Sequence, residues 1–115
     1  MTKIVHFEIT GKNSTALVRF YSEQFGYQVE PSPFAPDYHV LRASHDGLSG
    51  AVKARSYKDQ AMILWFQVTD IESSIEAIVA AGGAVAGELN TIPGQGHVQY
   101  AADPEGNVIG LKQPA

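Results

Sequence analysis

The chain has 115 residues, of which 44% are hydrophobic and 17% charged, with a formal net charge of −4 and no cysteine. This length allows one domain with a single core, and the composition is that of a globular protein. The lack of cysteine excludes disulfides, thiolate metal sites and cysteine nucleophiles. The negative charge and scattered basic residues argue against a nucleic-acid partner, because phosphate binding needs clustered Lys and Arg. No apolar run is long enough to cross a membrane and no signal-peptide pattern is present, so we expect a cytoplasmic protein with no membrane partner.

The first half of the chain predicts a strand, a helix and three more strands. Residues 3–10 alternate in polarity, which places His6 and Glu8 on the same face of the first strand. Asn13 or Ser14 is suited to cap the helix that follows, and Gly26 stands where a left-handed residue ends a helix. The three later strands are predicted at residues 27–30, 38–43 and 48–53, with a turn at His45-Asp46-Gly47 between the last two.

The second half repeats this order. Residues 62–68 alternate again, with Trp65 and Gln67 on one face, and Asp70 is a good helix N-cap. The helix is predicted to end at Gly82-Gly83, before a short strand from Val85 and a Pro/Gly loop at residues 91–96. Two last strands flank Asp103-Pro104-Glu105-Gly106, whose proline and glycine are typical of a tight hairpin turn.

The two halves therefore form an internal repeat, since residues 5–10 correspond to residues 64–69 and each segment precedes a helix that ends in glycine. We predict a single domain over residues 1–115, with modules at about 1–55 and 60–115. The fold class is α+β: two βαβββ modules form a cupped mixed sheet with the helices on the outside. The concave side of such a sheet is a pocket for a small organic molecule.

The chain resembles the vicinal oxygen chelate superfamily, also called the glyoxalase, bleomycin-resistance and dioxygenase superfamily. The similar segments lie in the superfamily's order along nearly the whole chain. The first of them is typical of the superfamily's short branch, whose members begin with His-Phe-Glu-Ile. They are His6-Phe7-Glu8-Ile9, Phe20-Tyr21, Phe25-Gly26, Phe66-Gln67-Val68, Asp70-Ile71, Ala81-Gly82-Gly83, Ile92-Pro93-Gly94, Asp103-Pro104-Glu105-Gly106-Asn107 and Gly110-Leu111.

The resemblance implies a small-molecule site in the cup, commonly a homodimer, and in the superfamily's enzymes a divalent metal. Its ligands are His and Glu side chains, one on the first strand and one on the last strand of each module. Only His6 matches these positions. The other three positions fall on Ile63 or Trp65, on Gly110, and on Gly50 or Val52. Hard cations prefer anionic oxygen ligands, so we predict that the inherited metal site is lost. A metal held by new ligands, such as His6 with His39 or His97, stays open.

Six residues are candidates for the site, each with an ordinary structural alternative. His6 and Glu8 could be an acid–base or ligand-binding pair, or a hydrogen-bonded pair at a module seam. Trp65 and Gln67 could line the pocket or simply pack. Arg42 could bind a carboxylate or phosphate if it faces the cup, which the pattern leaves open. His97 follows a glycine-rich loop that could form a lip over the pocket.

Two functions follow. The first is a small-molecule-binding protein of the superfamily with a degenerate metal site and no assured cofactor. The alternative is a metal-dependent lyase, isomerase or dioxygenase of the same superfamily in which His6 and Glu8 are catalytic, so whether the chain is an enzyme stays open. A third hypothesis is that the cup binds another protein, but no feature of the sequence supports it.

Overall fold

The computed structural model describes residues 3–44, 46–57 and 59–115. His45 of the predicted His45-Asp46-Gly47 turn and Lys58, which lies between the two predicted modules, fall outside these ranges. The elements in chain order are β1 (Ile4–Gly11), α1 (Ser14–Phe25), β2 (Gln28–Pro31), β3 (Tyr38–Arg42), β4 (Gly50–Ala54), β5 (Met62–Gln67), α2 (Ile71–Ala80), β6 (Ala84–Val85), β7 (Asn90–Ile92), β8 (Gly96–Ala102) and β9 (Val108–Pro114).

The chain divides into two compact units. The first module is Val5–Met62, and the second module is Ile63–Ala115 together with Lys3 and Ile4. Each module contains one helix and a mixed sheet. The repeat that the sequence predicts is thus present as two βαβββ modules, and the second has one additional short strand, β7.

In the first module the strand order is β2-β3-β4-β1, with β1 parallel to β4 and the other pairs antiparallel. Helix α1 begins where the Asn13 side chain accepts a hydrogen bond from the backbone N–H of Ala16 at 3.0 Å. It ends at Gly26, whose φ of 77° is the left-handed conformation that glycine adopts without strain.

The helix covers one face of this sheet. Ile9, Leu41 and Val52 form the core there, and side chains of α1 pack against them. Because side chains alternate along a strand, His6 and Glu8 project from the opposite face of β1. We call this opposite face, defined by His6, Glu8 and Tyr38, the polar face of the first module.

In the second module the strand order is β5-β9-β8-β6, with β7 paired to β8 and with β5 parallel to β9. Asp70 caps α2 by accepting from the backbone N–H of Ser73 at 3.3 Å. The core beneath the helix consists of Ile71, Ala101 and Leu111. Strand β7 lies where the sequence predicts only loop. It pairs with the start of β8 around a tight turn, so the Pro/Gly segment is a hairpin.

The last hairpin has the predicted turn. The backbone N–H of Gly106 donates to the carbonyl of Asp103 at 3.0 Å, and Gly106 has a φ of 86°. The Asp103 carboxylate accepts from the backbone N–H groups of Glu105 and Asn107 and from the Asn107 side chain, each at 2.9 Å. These bonds, led by the one from the Asn107 side chain, hold the pKa of Asp103 below its ordinary value of 3.8.

This turn predicts a pH dependence of stability. A carboxyl group whose pKa is lower in the folded state stabilises that state above its unfolded pKa and loses this effect as the pH falls through the folded value. We expect Asp103→Asn to lower the melting temperature at neutral pH, and the difference from the wild type to shrink as the pH falls below about 3.8. Thermal unfolding across that range tests it.

Glu105→Gln is the matched control, because Glu105 contributes its backbone N–H rather than its side chain to these bonds. An Asp103→Asn difference that is constant with pH, or that is equalled by Glu105→Gln, would contradict the prediction.

Candidate functional site

A chain of hydrogen bonds lies on the polar face of the first module. The Tyr38 hydroxyl donates to Oε2 of Glu8 at 2.6 Å, and Nε2 of His6 lies 2.7 Å from the same hydroxyl. The His6 and Tyr38 rings are nearly parallel, with 14° between their planes and 6.3 Å between their centroids. Glu8 is only 1% exposed, while His6 and Tyr38 are half-buried. The structure thus brings the predicted pair His6 and Glu8 together through a third residue.

The strand order explains how Tyr38 reaches this pair. Tyr38 lies on β3 and the pair on β1, two strand spacings or about 10 Å apart. The strand between them, β4, has Ala51 in register with Glu8. A methyl group at that position leaves room for the Tyr38 ring above β4. The next residue of β4 on this face, Lys53, is in register with Tyr38.

The Glu8 carboxylate influences a second phenol. Burial raises the pKa of Tyr57 above its ordinary value of 10.0, and the negative charge of Glu8 adds to this rise. Glu8, Tyr38 and Tyr57 therefore form a partly buried group in which Glu8 carries the negative charge, and Lys53 lies on the same face. Hydrogen-bonded carboxylate, phenol and imidazole groups are those that proteins use for acid–base chemistry.

Arg42 lies on the same face of β3 as Tyr38, as the alternation predicts. This is the polar face, a point that the sequence leaves open. Its guanidinium forms an ion pair with Glu30, and the two side chains are 56% and 52% exposed. An ion pair so accessible to water adds little to stability. His39 projects from the opposite face of β3, where its Nε2 lies 3.2 Å from the Asp37 carboxylate.

In the second module, Trp65 lies flat against a glycine. Gly110 of β9 is in register with Trp65, and Tyr100 of β8 is in register with Gly110. The Trp65 and Tyr100 ring centroids are 4.9 Å apart. A Cβ at position 110 would lie 2.0 Å from the indole, so only glycine fits beneath it. Trp65 is 6% exposed, and half-buried Gln67 shares its face of β5. We call Trp65, Tyr100 and Gly110 the aromatic face of the second module.

His97 projects from the other side of β8, because it is three residues from Tyr100 in the same strand. Its Nδ1 lies 2.9 Å from the Thr91 hydroxyl. With Gln113, whose side-chain oxygen accepts from the backbone N–H of Ile71 at 2.8 Å, it lines a pocket of about 310 Å³ at the start of α2. The structure therefore places His97 on the face of its sheet opposite the one that holds Trp65 and Gln67.

The superfamily's metal positions can now be judged by their donor groups. No group of three or more His, Asp or Glu side chains in residues 3–44, 46–57 and 59–115 is placed to hold a metal ion. Position 110 has no side chain and lies against the indole of Trp65. The position that we predicted at Gly50 or Val52 faces α1, since Gly50 contacts Phe7 and Val52 is in the core.

On the polar face, β4 presents Ala51 and Lys53 in place of Gly50 and Val52. Neither a methyl group nor an ammonium group binds a cation. The residues that this chain has at these positions do not fit a divalent metal.

The family model of the glyoxalase-like domain matches residues 6–111. The chain belongs to the glyoxalase-like domain family. No curated protein matches the sequence.

Solved structures are similar over almost the whole chain. Methylmalonyl-CoA epimerase from Mycobacterium tuberculosis has a TM-score of 0.72 at 14% identity, covering 97% of this chain and 87% of the epimerase. A glyoxalase/bleomycin resistance protein/dioxygenase superfamily member from Vibrio splendidus 12B01 has a TM-score of 0.70 at 15% identity, covering 98% and 99% of the two chains.

Streptomyces coelicolor methylmalonyl-CoA epimerase, in complex with 2-nitronate-propionyl-CoA, has a TM-score of 0.63 at 16% identity, covering 100% of this chain and 96% of the epimerase. At these identities the likeness shows the fold alone. The family model confirms the superfamily assignment, and the similar structures confirm the predicted α+β fold of two βαβββ modules with a cupped mixed sheet. Of the residues that the structure describes, none belongs to a helix with the length and hydrophobicity that a membrane span requires.

The structure adds three residues to the site that the sequence candidates do not include: Tyr38, Lys53 and Tyr100. The period-2 pattern indicates that Tyr38 and Arg42 share a face, but not which face. Tyr100 is detectable only through its register with Gly110, which is a property of the folded hairpin.

The contact between Trp65 and Gly110 gives a direct prediction. We expect Gly110→Ala to lower the free energy of unfolding by roughly 1 to 3 kcal/mol, because the added methyl forces the indole out of its position. Urea unfolding measures this loss. Trp65 is the only tryptophan, so its emission should shift in the same variant.

The control is the same substitution in a Trp65→Phe background, where a smaller ring can yield. If the cost of Gly110→Ala is equal in the two backgrounds, the two residues do not interact energetically and the prediction is wrong.

Proposed function

We propose that this chain binds a small organic molecule on the polar face of the first module without a divalent metal at the superfamily's ligand positions. One observation supports this most: the position of the last-strand acidic ligand is Gly110, and the Trp65 indole lies on it. A carboxylate cannot be accommodated there without displacing a ring that is 6% exposed.

The groups that remain suit an organic ligand. The first module offers a hydrogen-bonded imidazole, phenol and carboxylate, with the His6 and Tyr38 rings nearly parallel. Trp65 and Gln67 stay candidates for ligand contacts on the aromatic face of the second module. Ligand sites commonly combine apolar rings with a few polar groups that fix orientation. The similar epimerases are named for methylmalonyl-CoA, and one of them is in complex with 2-nitronate-propionyl-CoA. Arg42 is a further candidate to bind an anionic group of the ligand, which would then replace Glu30 as the partner of its guanidinium.

The test combines metal analysis with ligand screening. We expect protein purified without a metal-affinity tag and dialysed against metal-free buffer to contain no stoichiometric divalent ion. A thermal-shift screen of small aromatics and organic acids should then raise the melting temperature in the same metal-free buffer. A ligand at 100 times its Kd stabilises the folded state by about 2.7 kcal/mol.

His6→Ala should abolish the rise in melting temperature that a ligand from the screen produces. His97→Ala should leave this rise intact, because His97 lies on the other face of its own sheet. About one divalent ion per wild-type chain, lost in His6→Ala, would contradict the proposal. It would mean that a metal uses His6 with new ligands.

The second candidate is an enzyme of the lyase, isomerase or dioxygenase classes of the superfamily, and the hydrogen-bonded chain from His6 to Glu8 favours proton transfer among these. We expect such an enzyme to exchange a C–H proton next to a carbonyl group for deuterium in D₂O. Pyruvate and acetoacetate, followed by proton NMR with wild type and His6→Ala, test this. Exchange that is equal in wild type and variant would exclude His6 as the base.

Three other expectations stay predictions: one domain over residues 1–115, a homodimer, and a cytoplasmic location. The homodimer is expected because members of the superfamily, with their paired βαβββ modules, are commonly dimers.

A further inference from the structure

An exposed ion pair lies at one side of the polar face of the first module. Arg42 shares this face with Tyr38, and Val40 lies between them in β3. Glu30 of β2, the outermost strand, is in register with Val40 and therefore lies on the same face. The pair joins Nη2 of Arg42 to Oε1 of Glu30. The polar face thus presents a carboxylate to its own guanidinium.

We infer that Glu30 occupies on Arg42 the place of a ligand's carboxylate group, so that the polar face takes small carboxylic acids and Glu30 competes with them. The inference rests on the proposed function, since it names the class of ligand. A guanidinium can donate two parallel N–H groups to one carboxylate. The bond to Glu30 joins one nitrogen to one oxygen, whereas a ligand that is not tied to a strand can adopt the geometry with two bonds.

The ion pair can exchange its carboxylate because water reaches both side chains. They are 56% and 52% exposed, and a pair so accessible contributes little to stability. A ligand carboxylate that replaces Glu30 leaves Arg42 with an equivalent negative partner. Because Glu30 is tethered next to Arg42, its effective concentration is high, so it lowers the apparent affinity of the ligand without excluding it.

The strands leave a low floor beside Arg42. Ala51 of β4 is in register with residues of both β3 and β1. Continuing this register by two residues brings Arg42 and His6 level with Ser49, one on either side. Strands β3 and β1 are two strand spacings, or about 10 Å, apart. A carboxylic acid with a single ring fits this span, with its anionic end at Arg42 and its ring above the short side chain of Ser49.

The negative charge of Glu8 does not exclude an anion from this position. Glu8 lies on β1, so about 10 Å of strand spacing separates it from Arg42 on β3. This is roughly the Debye length at 0.1 M salt. Lys53, on the strand between them, carries the opposite charge. A carboxylate at Arg42 is therefore attracted by the nearer guanidinium more strongly than it is repelled.

The test is a ¹H–¹⁵N NMR titration of the metal-free protein at neutral pH with benzoate and with benzamide, which share a ring and differ in charge. We expect benzoate to bind at least tenfold more tightly than benzamide. It should shift the side-chain Nε–H signal of Arg42, which is assigned by its loss in Arg42→Gln. The same variant should weaken benzoate binding at least tenfold.

Glu30→Gln separates competition from a structural role, because the two predict different results. Removal of a competitor should tighten benzoate binding by about two- to fivefold, the range that an exposed ion pair allows. Loss of a merely structural pair would weaken binding or leave it unchanged. The gain should vanish in the Arg42→Gln background, where Glu30 has no guanidinium to occupy. Glu23→Gln is the matched control, since it removes the same charge from an exposed position of α1 and should not alter the affinity.

Equal binding of the two probes, no binding of either, or an unchanged benzoate affinity in Arg42→Gln would overturn the carboxylate class. An unchanged or weaker affinity in Glu30→Gln would overturn the competition, as would a gain that persists without Arg42. Should Arg42→Gln not fold, the two probes with wild type and Glu30→Gln still decide. The proposed function fails by different results, namely a stoichiometric metal ion or ligand binding that does not need His6.

Discussion

The first module depends on one constraint, the burial of the Glu8 carboxylate. A carboxylate that is 1% exposed has lost its water and must find hydrogen bonds inside the protein, or the cost is several kcal/mol. Tyr38 supplies such a bond from two strands away. That bond in turn requires a small side chain on the intervening strand, which Ala51 provides. His6 depends on the same hydroxyl, because its Nε2 lies 2.7 Å from the Tyr38 oxygen.

The second module differs, because an aromatic ring lies where the superfamily has a charged side chain. At the position where the superfamily places an acidic ligand, this chain has Gly110, and the indole of Trp65 covers it. Trp65 and Tyr100 carry no formal charge and add packing energy, so neither ring requires a charged partner on the aromatic face. The repeat that makes the modules alike in fold has therefore diverged in chemistry, with one face acidic and hydrogen-bonded and the other aromatic.

The periodicity of the sequence predicted which residues share a face of a strand. It did not predict the contacts that depend on how the strands pair. Alternation along β1 and β5 indicated which residues share a face, because side chains alternate with a period of exactly two residues in any strand. It could not show that Tyr38 bonds to Glu8, since β3 and β1 are separated by β4 and the strand order is not encoded in local pattern. The sequence makes His97 a candidate because it follows a glycine-rich loop that could form a lip over the pocket, yet His97 lies on the face of β8 opposite Tyr100. Strand β7 was missed for a similar reason, as Asn-Thr-Ile acquires its partner only when the hairpin closes.

The separation of core and site explains how the chemistry could change while the fold did not. Ile9, Leu41 and Val52 pack beneath α1, and Ile71, Ala101 and Leu111 beneath α2, all on the faces that the site residues avoid. Burial of these side chains stabilises each module whatever stands on the other side of its strands. A residue such as His6 or Trp65 can therefore be exchanged at the cost of its local contacts alone. For this reason a TM-score of 0.72 to an epimerase at 14% identity says little about the reaction, and the donor and acceptor groups of the polar face have to decide it.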